Sequence, residues 1–136
     1  MAAPQIWLRS AIEAATGFNA YPVQAPEGVQ PPYVIYERTG TSREQLVADT
    51  LDNPAAGTAT PPTTTITVLA YRDDYVEVWD LCETIVEAVH GYAGEHEGTL
   101  VESCLVVDEK DAPPEYMDGR DTPTYVVEMT VEVRWS

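Results

Sequence analysis

The chain is poor in the residues that carry most enzymatic chemistry. It holds two histidines, two cysteines and seven basic residues in 136 positions. Histidine is the commonest general base, yet His90 and His96 both fall around one helix end, and neither has a partner at a catalytic spacing. Serine occurs only at Ser10, Ser42, Ser103 and Ser136. No G-x-S-x-G elbow, phosphate-cradling glycine loop or Cys-x-x-Cys pair is present. The expectation is therefore no catalytic residues, no cofactor-binding residues and no metal ligands, in a chain that is not an enzyme. The shortage of positive charge, 7 basic against 23 acidic residues for a net charge of −16, argues against sequence-independent binding to nucleic acid or to an anionic membrane. No apolar run approaches the length of a membrane span, and the N-terminus lacks the layout of a signal peptide, so cytoplasmic residence is expected.

Two acidic stretches need weighing as cation sites. Glu95-His96-Glu97 offers ligand types, but consecutive residues rarely converge on one ion, and a solvated turn is the simpler reading. Asp108-Glu109-Lys110-Asp111 lacks the ligand spacing and turn glycine of a calcium loop. It reads as part of a second polar connection spanning Asp108 to Thr122. Cys82 falls on a helical apolar stripe and Cys104 inside a strand, the pattern of buried free thiols. Trp7, Trp79 and Trp135 lie on apolar faces and read as core rather than as platforms for bases.

What is present is a strand leading straight into a helix. Thr63 to Tyr71 is rich in β-branched residues, with Ile66, Val68 and Ala70 on one face of the alternation. Asp73 or Asp74 is placed to cap the helix that follows. There Tyr75, Val78, Trp79, Cys82, Ile85, Val86 and Val89 recur at three and four residues before His90 and Gly91 close it. A helix with one apolar stripe requires a sheet to lie on. An earlier helix starts at Pro4 and ends at Gly17, and a proline-rich extended connection runs from Phe18 to Pro32. Tyr33 to Thr39 reads as a strand, as does Thr99 to Glu109, with Val101, Leu105 and Val107 expected on one side. The last strand alternates most strictly: Tyr125, Val127, Met129, Val131, Val133 and Trp135 against Val126, Glu128, Thr130, Glu132 and Arg134. The resulting order is α-β-β-α-β-β. It describes one α+β domain over 1–136, a mainly antiparallel four-stranded sheet with two helices packed on one face. A long segment at 41–62 fits neither element type. It is either a surface excursion or an arm that orders against another subunit.

The early amphipathic helix, the Pro-Pro-Tyr-Val-Ile-Tyr strand at 31–36, the Ile66–Tyr71 strand leading into Tyr75–Val89 and the closing Tyr125–Trp135 strand together resemble the tail terminator (tail completion) proteins of long-tailed bacteriophages and gene-transfer particles. The likeness spans nearly the whole chain and departs from the family pattern at Thr41–Pro62 and in its strong acidity. The resemblance implies a structural virion protein of the viral tail, assembled in the host bacterial cytoplasm. Its subunits would form a hexameric ring at the head-proximal end of the tail tube, ending tube polymerisation and joining the tail tube protein to the head connector or neck protein. A compact chain of this length is about 37 Å across, so six in a ring would leave a lumen of about that width, enough for duplex DNA. A negative wall would let DNA pass without sequence-specific binding. A ring needs two different surfaces on each subunit. The candidates for subunit or partner contacts are Glu128, Thr130, Glu132 and Arg134 on the last strand, and Arg38, Arg43 and Glu44 near the long segment. Two alternatives stay open: another head-to-tail joining protein of the neck or connector, and an acidic cytoplasmic binding domain.

Overall fold

The structure, a computed structural model, describes residues 3–43, 61–117 and 119–136. Among them the chain forms helix α1 (Pro4–Thr16), strands β1 (Ala20–Pro22), β2 (Tyr33–Ser42) and β3 (Thr63–Arg72), helix α2 (Tyr75–Val89), and strands β4 (Gly94–His96), β5 (Thr99–Glu115) and β6 (Thr124–Trp135). The strands form one sheet in the order β1-β2-β3-β6-β5-β4.

This corrects the expected four-stranded antiparallel sheet. The overall α+β character is as expected, but the sheet is mixed, has six strands and curls into a half-barrel. β1 pairs in parallel with β2, Ala20 to Pro22 lying beside Val34 to Tyr36. A three-residue strand ending in Pro22 is too short to show a period of two, and its hydrogen bonds come from a distant partner. β4 is equally short. It folds back on Thr99–Val101 through Glu97 and Gly98, whose φ angles of 48° and 86° suit a tight hairpin turn.

β5 also runs past its expected end. The anticipated polar connection from Asp108 is strand as far as Glu115, paired with β6 throughout. Three irregularities in register, at Val101/Ser103, Val106/Asp108 and Ala112/Glu115, hide it from a periodic reading. Pro113 and Pro114 fall inside the last of these, where no ladder N–H is lost. The first bulge also overturns the expected facing. Val101 and Cys104 are buried together, while Leu105 and Val107 are exposed. An extra residue between two strand positions exchanges the faces beyond it.

Both helices contribute to one core. Trp7, Leu8 and Ile12 of α1 and Val78, Leu81, Cys82, Ile85 and Val89 of α2 bury against Val34, Ile66, Val68, Ala70, Val127, Met129, Val131 and Val133. α1 begins with Pro4 and stops at Gly17, whose φ of 73° is left-handed and whose N–H donates to the Glu13 carbonyl. α2 is capped by Asp74, whose carboxylate accepts from the Glu77 N–H at 3.0 Å. Among the described residues the opposite face of the sheet is roofed at one corner, where Ala25, Val29 and Met117 cover Tyr33, Ile35, Tyr71 and Val126. No helix among the described residues is long and apolar enough to cross a membrane.

Candidate functional site

The expected contact residues divide between two surfaces. On β6 the outward positions of the alternation are Glu128, Thr130, Glu132 and Arg134, paired across β3 with Leu69, Thr67, Thr65 and Thr63. They sit on the face away from the helices. Glu132 and Arg134 are exposed, Glu128 and Thr130 half-buried. Lys110 of β5 reaches Glu128 at 3.1 Å. Exposed Leu105 and Val107 lie on the same side, giving this face apolar ground among its charges.

Arg38 and Arg43 belong to the other surface. Both guanidinium groups lie over the ring of Trp135, at 5.9 Å and 5.7 Å from its centroid, within reach of the aromatic quadrupole. Trp135 donates its indole N–H to Thr64 Oγ1 at 2.8 Å, and Thr64 shares a 2.8 Å hydrogen bond with Thr41. Arg38 donates to Thr41 Oγ1 at 2.9 Å and to Gln5 Oε1 of α1 at 3.5 Å. The strand end, the start of α1 and two cations are thus tied together around one tryptophan. Glu44 and residues 44–60 of the expected arm lie outside the described residues.

The acidic run at Asp108–Asp111 has a use that a solvated loop would not. Asp111 accepts from the Tyr75 hydroxyl at 2.9 Å and from Trp79 Nε1 at 3.0 Å. Glu109 accepts from Cys82 Sγ at 3.3 Å. β5 is thereby tied to α2 by its carboxylates. The signal was Trp79 itself, a half-buried indole whose N–H needs an acceptor. Burial pushes the Cys82 thiol up to about 12, with the hydrogen bond and charge of Glu109 adding to it, and burial alone does the same for Cys104. Both are free thiols, held in the unreactive protonated form. No group of three or more metal-ligating side chains is assembled among the described residues.

Sequence reasoning missed a groove of about 490 Å³ beneath the loop at residues 23–30. Its floor includes Tyr33, Ile35 and Tyr71, and Glu115 and Tyr116 stand on one side. Tyr33 and Tyr71 stack at 4.6 Å. Burial raises the pKa of both phenols, and the nearby Glu115 raises them further, in Tyr71 partly by accepting its hydrogen bond. They stay neutral at physiological pH, the Tyr71 hydroxyl engaged by Glu115.

No protein-family model matches this chain, and no curated protein is similar to it in sequence.

Proposed function

We propose that this chain is the subunit of a ring in a phage-like tail, placed at the head-proximal end of the tail tube, where it ends tube growth and joins the tube to the head connector. One observation carries most weight. Among the described residues the helices cover a single face of the sheet, and the other face presents exposed Leu105, Val107, Glu132 and Arg134 beside half-buried Glu128 and Thr130 across adjacent strands. A broad mixed surface of this kind suits contact with another protein better than contact with water. The net charge of −16 suits a subunit past which DNA must slide without sticking. The tube protein and the connector are the partners in this reading, and the virion tail is its place.

The test is the mass of the protein in solution across concentration and salt, by light scattering, with negative-stain images of the same samples. Rings of six are expected, favoured by salt as acidic repulsion is screened. A protein that stays monomeric throughout and does not attach to the end of polymerised tail tubes overturns the reading. Attachment to connector alone would move it to the neck. The groove below the 23–30 loop favours a second reading, an acidic binding domain that remains monomeric and takes a small ligand against Tyr33 and Tyr71.

A further inference from the structure

The sheet ends in two edges, each covered over part of its length. On β2, β1 lies beside Val34–Tyr36 only, and no strand pairs with Glu37–Ser42 on that side among the described residues. On β5, β4 covers Thr99–Val101. The end of α2 covers the next stretch, where Gly91 N–H donates to the Cys104 carbonyl at 2.7 Å and Val106 N–H donates to His90 Nδ1 at 3.0 Å. From Val107 to Ala112 the outer edge of β5 has no strand beside it among the described residues, and Pro113 and Pro114 then interrupt its donors. Each open span has six residues, and β2 carries a register irregularity between Arg38 and Gly40, so the alternation of its main-chain groups runs unbroken only as far as Arg38. Unpaired strand edges are templates for another chain.

Direction, phase and charge point to a second copy as that chain. β2 to β3, β3 to β6 and β6 to β5 are each antiparallel, so β2 and β5 run in opposite senses. A copy placed beside the first in the same orientation sets its β2 antiparallel to the neighbouring β5, with helices on the same side. Val34 N–H donates to the Asn19 carbonyl and the Tyr36 carbonyl accepts from Val23. By alternation, Arg38 also turns its main-chain groups to the open edge. On β5, Cys104 and Val106 face outward, and beyond the bulge at Val107 the outward residues become Glu109 and Asp111. Arg38 and Asp111 therefore match in phase. Both project to the helix side, one reaching Gln5 of α1 and the other Tyr75 and Trp79 of α2. Their charges are opposite, and the β5 edge adds Asp108 and Glu109.

We infer that copies of this chain join by main-chain pairing, the Glu37–Ser42 edge of one adding antiparallel to the Val107–Ala112 edge of the next, with Arg38 set against Asp111. The inference rests on the ring reading and names its interface. It is a head-to-tail contact, which gives a ring where the rotation between copies closes. Matching these spans shifts each copy by about 13 Å along the strands for about 19 Å of width over four strands, a tilt of about 35° that falls in the range of closed barrels.

The test uses the full chain carrying Glu37→Cys and Ala112→Cys. In this register the two positions oppose each other across the junction as a non-hydrogen-bonded pair, with Cα atoms about 4.5 Å apart and within disulfide reach. Mild oxidation is expected to give a ladder of covalent multimers rising to the ring number on a denaturing gel, absent from either single variant. Arg38→Asp should weaken assembly at least about tenfold by light scattering. Wild-type rings with no ladder and no effect of Arg38→Asp would place the interface elsewhere and leave the ring reading standing. No assembly and no ladder, with or without tail tubes, would remove both. A ladder that stops at two would keep the edge pairing and overturn the ring.

Discussion

The two faces of this sheet are made by the same strands and have different physics. Under the helices, Ile66, Val68, Ala70, Val127, Met129, Val131 and Val133 are fully excluded from water. One residue along on each strand, Thr65, Thr67, Thr130, Glu132 and Arg134 point the other way, and among the described residues only the corner below the 23–30 loop is roofed. Burial of apolar surface is the main favourable contribution to folding, so the helix-covered face holds the molecule together. The open face is left with little folding work, which makes it available for contact with other proteins. A strand can serve both ends because its side chains alternate.

Mutations one residue apart would sharpen that contrast. Met129→Ala removes a fully buried side chain and should cost about 2–5 kcal/mol of unfolding free energy, measured by urea denaturation. The next largest effect concerns the same core at high pH. Cys82 and Cys104 hold their protons up to about 12, against 9 for an ordinary thiol. Between those values the unfolded chain has released protons that the folded chain retains, so stability is fully present below about pH 9 and falls as pH rises through the window. Denaturation at pH 8 and pH 10 should show the loss, reduced in the Cys82→Ala and Cys104→Ala variants. Thiol reagents at pH 8 should label neither cysteine until the protein unfolds. Asp74→Ala removes the cap of the helix that roofs the core and should cost about 1 kcal/mol. The smallest effect belongs to the open face. Glu132→Ala should change stability by less than about 0.5 kcal/mol, and an equal loss there and at Met129 would break the comparison. Leu105→Asp should likewise spare folding, as judged by circular dichroism, while reducing attachment to polymerised tail tubes scored in negative-stain images.

How far each strand could be read depended on its regularity. β6 alternates without a break, and its inward and outward residues stand as its pattern required. β5, its neighbour, carries three register irregularities, and these reversed the assignment of Leu105 and Val107 and concealed the strand beyond Asp108. β1 and β4 have three residues each, below the length at which periodicity carries information. Among the candidate contacts, the outward row of β6 was legible because its period of two separates faces without reference to any other strand. The gathering of Arg38 and Arg43 over Trp135 was not. It joins residues about a hundred positions apart, through a register that no local pattern encodes. Asp111 was misread for the same reason, since its partners Tyr75 and Trp79 lie on a helix more than thirty residues earlier.

The sequence alone determined the α+β class, the two helices with their stops at Gly17 and His90–Gly91, a cap at Asp73 or Asp74, the burial of both thiols and the two-faced character of β6. Each follows from short-range chemistry: periodicity, capping, or one residue's tolerance of a left-handed backbone. Tertiary structure decided the mixed six-stranded sheet, its bulges, the ties from β5 to α2 and, among the described residues, the unpaired edges at Glu37–Ser42 and Val107–Ala112. Those depend on which strand lies beside which and where pairing stops, and hydrogen bonds between distant segments leave no trace in the residues of either one.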